Sequence, residues 1–260
     1  MSRHFASAGP AASGAANPIQ EPGTDESDWR RWGGWESMPD VRLPTRGRVV
    51  VVAAHPDDEI LGFGGAIALL AQQDVELTIV SITDGEGSHP RSRIVTPSAL
   101  ARLRARELRC ALDELGAARA RVVRLHVPDT GVARHEAQVV AALAPHLRAA
   151  DLVAAPWTGD VHSDHEAAGR AAVTAARRTG TSCALYPVWM WHWAVPGDPR
   201  IPWHTARRLE LPPHVRALKR AAVDRFATQI RPLGPGADEA AILPPEELAH
   251  HLRPMEVLFQ

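Results

Sequence analysis

Residues 48–73 read RVVVVAAHPDDEILGFGGAIALLAQQ, and this stretch decides the fold. Arg48–Ala54 is a continuous, β-branched run of strand length, the pattern of a strand covered on both faces. His55–Glu59 interrupts it with a proline and three acids, and from Ile60 the apolar positions recur at helical spacing. A buried strand, a polar loop and a helix follow one another.

The same order recurs along the chain. Strands are expected at 75–83 (VELTIVSIT), 121–127 (RVVRLHV), 151–156 (DLVAAP) and 183–191 (CALYPVWMW), with helices at 97–116, 135–149 and 164–178. Strands alternating with helices predict an α/β fold, a mostly parallel sheet with helices on both faces, followed by a C-terminal extension. Residues 1–27, rich in Ala, Gly, Ser and Pro without periodicity, read as a flexible tail. Residues 28–260 read as a single domain, with its motifs in 48–190 and a C-terminal lobe in 191–260.

In an open α/β sheet the ligand crevice lies beyond the carboxyl ends of the strands. The loops there hold most of the polar chemistry: AHPDDE (54–59), TDGEGSHP (83–90), VPDTG (127–131) and PWTGDVHSDH (156–165). Asp57 and Asp58, side by side after the first strand, repel one another and call for a compensating cation. His and Asp are both acceptable zinc ligands, and a catalytic zinc takes three protein ligands and keeps one position open. His55 and Asp58 supply two, so a third is sought at another strand end, and His162-Ser163-Asp164-His165 is the obvious donor. One of its histidines can bind metal while the other meets substrate, and Asp164 can accept the second ring N–H of a histidine. Singly, an acidic pair suits a helix N-terminus and a lone histidine is an ordinary hydrogen-bonding residue. Two such clusters at two strand ends favour a site.

A-H-P-D-D-E after a strand, a glycine-rich helix start and a later H-x-D-H together resemble the LmbE-like or PIG-L family of zinc-dependent deacetylases, over roughly residues 48–190. The resemblance implies a Rossmann-like fold and removal of an acetyl or acyl group from an amino sugar or glycoconjugate. It implies His55, Asp58 and His165 as zinc ligands, Asp57 as the base that activates a zinc-bound water, and a protonated His162 as partner of the oxyanion. Asp164 joins Asp57 and His162 among the expected catalytic residues. A His2Asp set also accepts Fe2+ or Co2+. Some relatives carry tyrosine where this chain has Asp160, so a tyrosine-assisted oxyanion hole is not expected.

Asp84 and Asp129 occupy loop positions that in this family often bind sugar hydroxyls, although Asp129 equally suits a turn. Arg104 and Glu107 match a family R-x-x-E pattern that an ordinary helix ion pair explains as well. Trp189, Trp191 and Trp193 alternate, so on a strand they share one face; most are expected in a core, one at the pocket. Trp29, Trp32 and Trp35 read as a packing clasp. The closing MEVLFQ resembles a protease-cleavage sequence and also fits a final strand.

Composition excludes several classes. Apolar residues make up 45% and charged residues 23%, the balance of a folded soluble domain. With a net charge of −1 and scattered arginines there is no nucleic-acid stripe, and no run is long enough for an integral membrane segment. Two distant cysteines and the lack of an apolar leader point to free thiols in a cytoplasmic protein. A monomer and a homo-oligomer would carry the same motifs. Two other functions remain open: a thiol-conjugate amidase on the same metal site, and a non-catalytic sugar- or nucleotide-binding module. Gly62, Gly64 and Gly65 do not complete G-x-G-x-x-G, and binding alone needs neither Asp57 nor His162.

Overall fold

The computed structural model describes residues 18–260. The tail expected at residues 1–27 lies outside the described residues as far as residue 17. Beyond it the chain is already structured, because helix α1 (Glu26–Arg31) starts inside the stretch read as tail.

Strand β1 (Arg46–Ala53) leads into helix α2 (Asp58–Ala71), β2 (Asp74–Ser81), α3 (Pro97–Glu114), β3 (Arg121–Arg124) and α4 (Glu136–Leu147). Then come β4 (Leu152–Pro156), α5 (Ser163–Thr179), β5 (Ser182–Tyr186) and α6 (Met190–Trp193). The C-terminal part adds β6 (Ala206–Glu210), α7 (Pro213–Val223), α8 (Ala227–Ile230), α9 (Pro245–His251) and β7 (Met255–Phe259). Among the described residues one seven-stranded sheet forms, in the order β3-β2-β1-β4-β5-β7-β6. Strands β1 to β5 are parallel to one another, and β7 runs antiparallel between β5 and β6.

Alternation within β1 explains its unbroken apolar run. Val49 and Val51 join one core with α2, α3 and α7, while Val50 and Val52 join a second with α4 and α5. Helix α5 presses onto β4 through Gly169, where a Cβ would stand 2.3 Å from the Pro156 carbonyl oxygen. The strand order reverses at β1 and β4, so a crevice opens beyond their carboxyl ends. His55–Asp58 and His162–His165 both lie there.

Two expectations need correction. The strand expected at 183–191 stops at Tyr186: Pro187 has no N–H for the ladder, and the N–H groups of Val188, Trp189 and Met190 turn instead to the Asp160 carboxylate. The three tryptophans therefore diverge rather than sharing a strand face. Trp191 packs with Trp29 and Trp35, Trp193 stacks on Trp157, and Trp189 reaches the crevice. The C-terminal segment, expected as a lobe, extends the main sheet. MEVLFQ supplies its inner strand β7, and Glu256 there accepts hydrogen bonds from the Gly65 and Ala66 N–H groups of α2.

The tryptophan clasp forms as expected. Trp29 is fully buried and donates Nε1–H to the Trp191 carbonyl, and the Arg253 guanidinium lies 4.4 Å from the Trp191 ring centre. Glu26 anchors the clasp through Arg253 and His250. Burial pushes its carboxyl up, but these hydrogen bonds outweigh that and hold its pKa at about 2, against an ordinary 4.5. A pKa lowered on folding contributes stability that is complete above the unfolded value and is lost as pH falls towards the folded one. Glu26→Gln should therefore cost on the order of 1–3 kcal/mol at neutral pH. It should also flatten the loss of stability between pH 4.5 and about 2. Acid titrations followed by tryptophan fluorescence check both.

Candidate active site

After β1 the backbone is forced into an unusual turn. Asp57 has φ 149° and ψ −30°, a conformation costly for any residue with a Cβ, of order 1–3 kcal/mol. Several groups hold it there. Its N–H donates to Glu59 Oε2 at 3.1 Å, and its C=O accepts from Ile60 and Leu61, both at 2.9 Å. The buried Arg104, from α3, donates to the Pro56 carbonyl at 2.8 Å and the Gly85 carbonyl at 3.0 Å, and pairs with Asp57 Oδ2 at 3.0 Å. Across the crevice His162 caps α5, its Nδ1 accepting from the Asp164 N–H at 3.3 Å. The ring proton of a neutral His162 is thereby left on Nε2.

Donor atoms of three residues converge. His55 Nδ1 lies 3.2 Å from His165 Nε2 and 3.6 Å from Asp58 Oδ2, and His165 Nε2 lies 3.2 Å from Asp58 Oδ1. Tetrahedral bonds of about 2.0–2.2 Å set ligand atoms roughly 3.3–3.6 Å apart, so this spacing fits a small divalent ion. The far ring nitrogens are also oriented for the task. His55 Nε2 faces Asp129 Oδ1 at 3.1 Å and Asp164 Oδ2 at 3.4 Å, and His165 Nδ1 faces Asp160 Oδ2 at 2.7 Å. Protons held on those nitrogens leave the lone pairs of His55 Nδ1 and His165 Nε2 directed at the common point. A ring nitrogen of His162 also lies within 4.8 Å of donor atoms of His55 and His165.

The electrostatics demand positive charge. Burial disfavours protonation of His55, yet Asp129, Asp164 and Asp58 raise its pKa well above the ordinary value. For His165 burial is likewise outweighed, by Asp58 and Asp160, and its pKa rises to about 9. Burial pushes the Asp57 carboxyl up, Arg104 opposes and Asp58 adds to the rise. Burial, with Asp58 and Asp57 beside it, takes Glu59 to about 8. His162 is driven down to about 2 by burial and by the charges on His165 and His55. Burial therefore disfavours the protonated His162 expected from the sequence, and a neutral ring with Nδ1 accepting from Asp164 carries its proton on Nε2.

Residues 50–176 match the PIG-L family model, described as GlcNAc-PI de-N-acetylase. The chain carries a PIG-L domain. It is similar to 1D-myo-inositol 2-acetamido-2-deoxy-α-D-glucopyranoside deacetylase of Actinosynnema mirum, 39% identical over 88 residues, 34% of this chain and 28% of the relative. It is also similar to the probable N-acetyl-α-D-glucosaminyl L-malate deacetylase 2 of Bacillus cereus, 30% identical over 136 residues, 50% of this chain and 61% of the relative. The chain thus spans less than two thirds of either curated relative. Among solved structures, a conserved protein of Thermus thermophilus superposes with a TM-score of 0.53 at 27% identity, over 70% of this chain and 79% of that one.

The crevice of the PIG-L domain is a cavity of about 440 Å³. His55, Asp57, Asp58, His162, His165 and Asp129 line it, as expected. Asp164 stands behind it, accepting from the N–H groups of Thr130 at 2.7 Å and Val132 at 3.1 Å while facing His55. It holds the 127–131 loop and faces the His55 ring. Asp129 lines the cavity but spends Oδ1 on His55 and Oδ2 on the Gly87 N–H, at 2.8 Å. Asp84 is not among the described lining residues. Arg124 and His126 of the neighbouring edge claim its carboxylate at 2.7 and 2.8 Å, which removes it as a sugar contact.

Two residues of the PIG-L domain gained roles that the sequence reading had not assigned. Arg104 enters the site, whereas Glu107 leaves it to bind the Thr228 N–H and hydroxyl, so R-x-x-E was a signal for one residue only. Asp160, noted in the sequence as the replacement of a tyrosine, accepts four hydrogen bonds, from His165 Nδ1 and three backbone N–H groups. An amide there must turn its NH2 towards donors. Asp160→Asn should therefore weaken metal binding about 10–100-fold, as measured by competition with a chelator.

Proposed function

We propose that this protein is a metal-dependent amide hydrolase that removes an acetyl or acyl group from an amino sugar or an amino-sugar-containing metabolite. The observation that carries this reading is the strained Asp57 beside the convergent His55, Asp58 and His165. Strain held by Arg104 and Glu59 is characteristic of a reacting group rather than of a passive binding surface. The names of the curated relatives support the same substrate class.

His55, Asp58 and His165 would hold the ion; the donor set suits zinc and also accepts Fe2+ or Co2+. When bound, the ion supplies positive charge that polarises the amide carbonyl and acidifies water. Asp57, whose carboxyl is raised but paired with Arg104, takes the proton of the attacking water and returns it to the leaving amine nitrogen. His162 donates Nε2–H to the oxygen that gains negative charge. Asp160, Asp129 and Asp164 keep the histidine tautomers fixed. Gly87, Ser88, Thr130 and Gln229 offer the polar wall on which sugar hydroxyls can be bound.

The test pairs elemental analysis with amine release from N-acetylglucosaminides. About one metal per chain and steady amine release are expected, with release lost on chelation and restored by zinc. Protein that holds no metal and stays inactive after zinc is supplied would overturn the reading.

A further inference from the structure

The cavity has two unlike walls. Besides its polar residues, Leu61, Val188, Trp189, Ala241, Ile242 and Leu243 line it. This apolar wall is built and anchored. Asp160 accepts from the N–H groups of Val188 and Trp189, and the Leu243 N–H donates to the Gln229 carbonyl at 2.9 Å. His89 holds the neighbouring Ala240 carbonyl at 3.0 Å. Trp189 and Ile242 remain only partly buried, so they have surface to offer a ligand.

The charges are as uneven as the polarity. Among the described lining residues Arg104 is the one permanent cation, and its guanidinium is divided between Asp57, Pro56 and Gly85. Asp57, Asp58 and Asp129 line the same space. Apart from an ion held by His55, Asp58 and His165, an anionic group placed there meets carboxylates and no uncommitted side-chain cation among the described lining residues, and burying an unpaired charge is costly. An apolar group instead covers Trp189 and Ile242 and gains roughly 0.8 kcal/mol per buried methylene before ordering costs.

We propose that the amino sugar this protein acts on carries an uncharged, apolar substituent that lies against Trp189 and Ile242, and that the site discriminates against anionic aglycones. The inference rests on the deacetylase reading and names its substrate class. The experiment uses the zinc-loaded protein and three N-acetylglucosaminides that differ only in aglycone: methyl, octyl and a dicarboxylate. Amine release is measured for each, and calorimetry measures binding of the three corresponding free amines.

The octyl glycoside should exceed the methyl glycoside in kcat/KM by roughly tenfold or more, the gain from burying two methylenes. The dicarboxylate should fall below the methyl glycoside. Trp189→Ala and Ile242→Lys should each bring the octyl-to-methyl ratio towards one, and Ile242→Lys should raise the dicarboxylate-to-methyl ratio. A wild type that accepts the dicarboxylate as well as the octyl glycoside overturns the proposal, as does a ratio that neither substitution moves. Octyl-selective binding without amine release supports the apolar wall and sinks the deacetylase reading. Amine release without any aglycone preference does the reverse.

Discussion

In an Asp57→Asn variant, amine release should fall by about 10²–10⁴-fold, the range lost with a positioned general acid–base, while metal content stays near that of the wild type. The two readouts separate because Asp57 is not one of the three convergent donors. Its Oδ2 lies 3.0 Å from Arg104 Nη2, whereas His55, Asp58 and His165 face one another. Asparagine is close in shape, tolerates positive φ better than most residues and keeps one oxygen for Arg104. What it lacks is the capacity to take up a proton and release it. A loss of metal in step with activity would mean that residue 57 acts through the ion site. Near-normal activity would remove it from the chemistry.

Lys219→Met should cost about 3–5 kcal/mol of stability, because it strands a buried carboxylate. Lys219 is the only lysine in the chain. It is 2% exposed and Glu256 is 4% exposed, and its Nζ donates to Glu256 Oε1 at 2.6 Å and to the Leu61 carbonyl at 2.7 Å. Glu256 in turn accepts from the Gly65 and Ala66 N–H groups. The pair therefore joins α7 and the C-terminal strand to the backbone of α2, whose first residue is Asp58. Methionine fills similar volume but donates nothing. Urea titration should show the loss, and the melting temperature should fall on the order of 10 °C. A change below about 1 kcal/mol would show that the buried pair contributes little to stability.

Much of the site was legible because its residues sit at strand ends in short, dense motifs. HPDD follows a strand that periodicity identifies, and HSDH follows another, so their convergence needed only the rule that parallel strands end on one edge. Asp84 shows where that rule stops. It shares the edge, yet Arg124 and His126 claim it, and those partners come from the end of a separate strand and the loop beyond it, whose register the residue pattern does not carry. Asp160 and Arg104 failed to stand out for the opposite reason. Each gains its role from backbone groups: the N–H groups of 188–190 for one, the carbonyls of Pro56 and Gly85 for the other. No side-chain motif announces a backbone partner.

The sequence by itself determined the alternating α/β architecture and placed His55, Asp57, Asp58, His162 and His165 at one sheet edge, because strand and helix periods and loop position are local properties. Only the tertiary structure decided that VWMWHW leaves the sheet and that MEVLFQ enters it as an inner strand. It alone decided that Asp164 turns to His55 and that His162 is buried beside two other histidine rings, which disfavours its protonation. Each of these depends on which buried donors and acceptors meet across distant segments, and a buried polar group takes whichever partner the packed fold brings within reach.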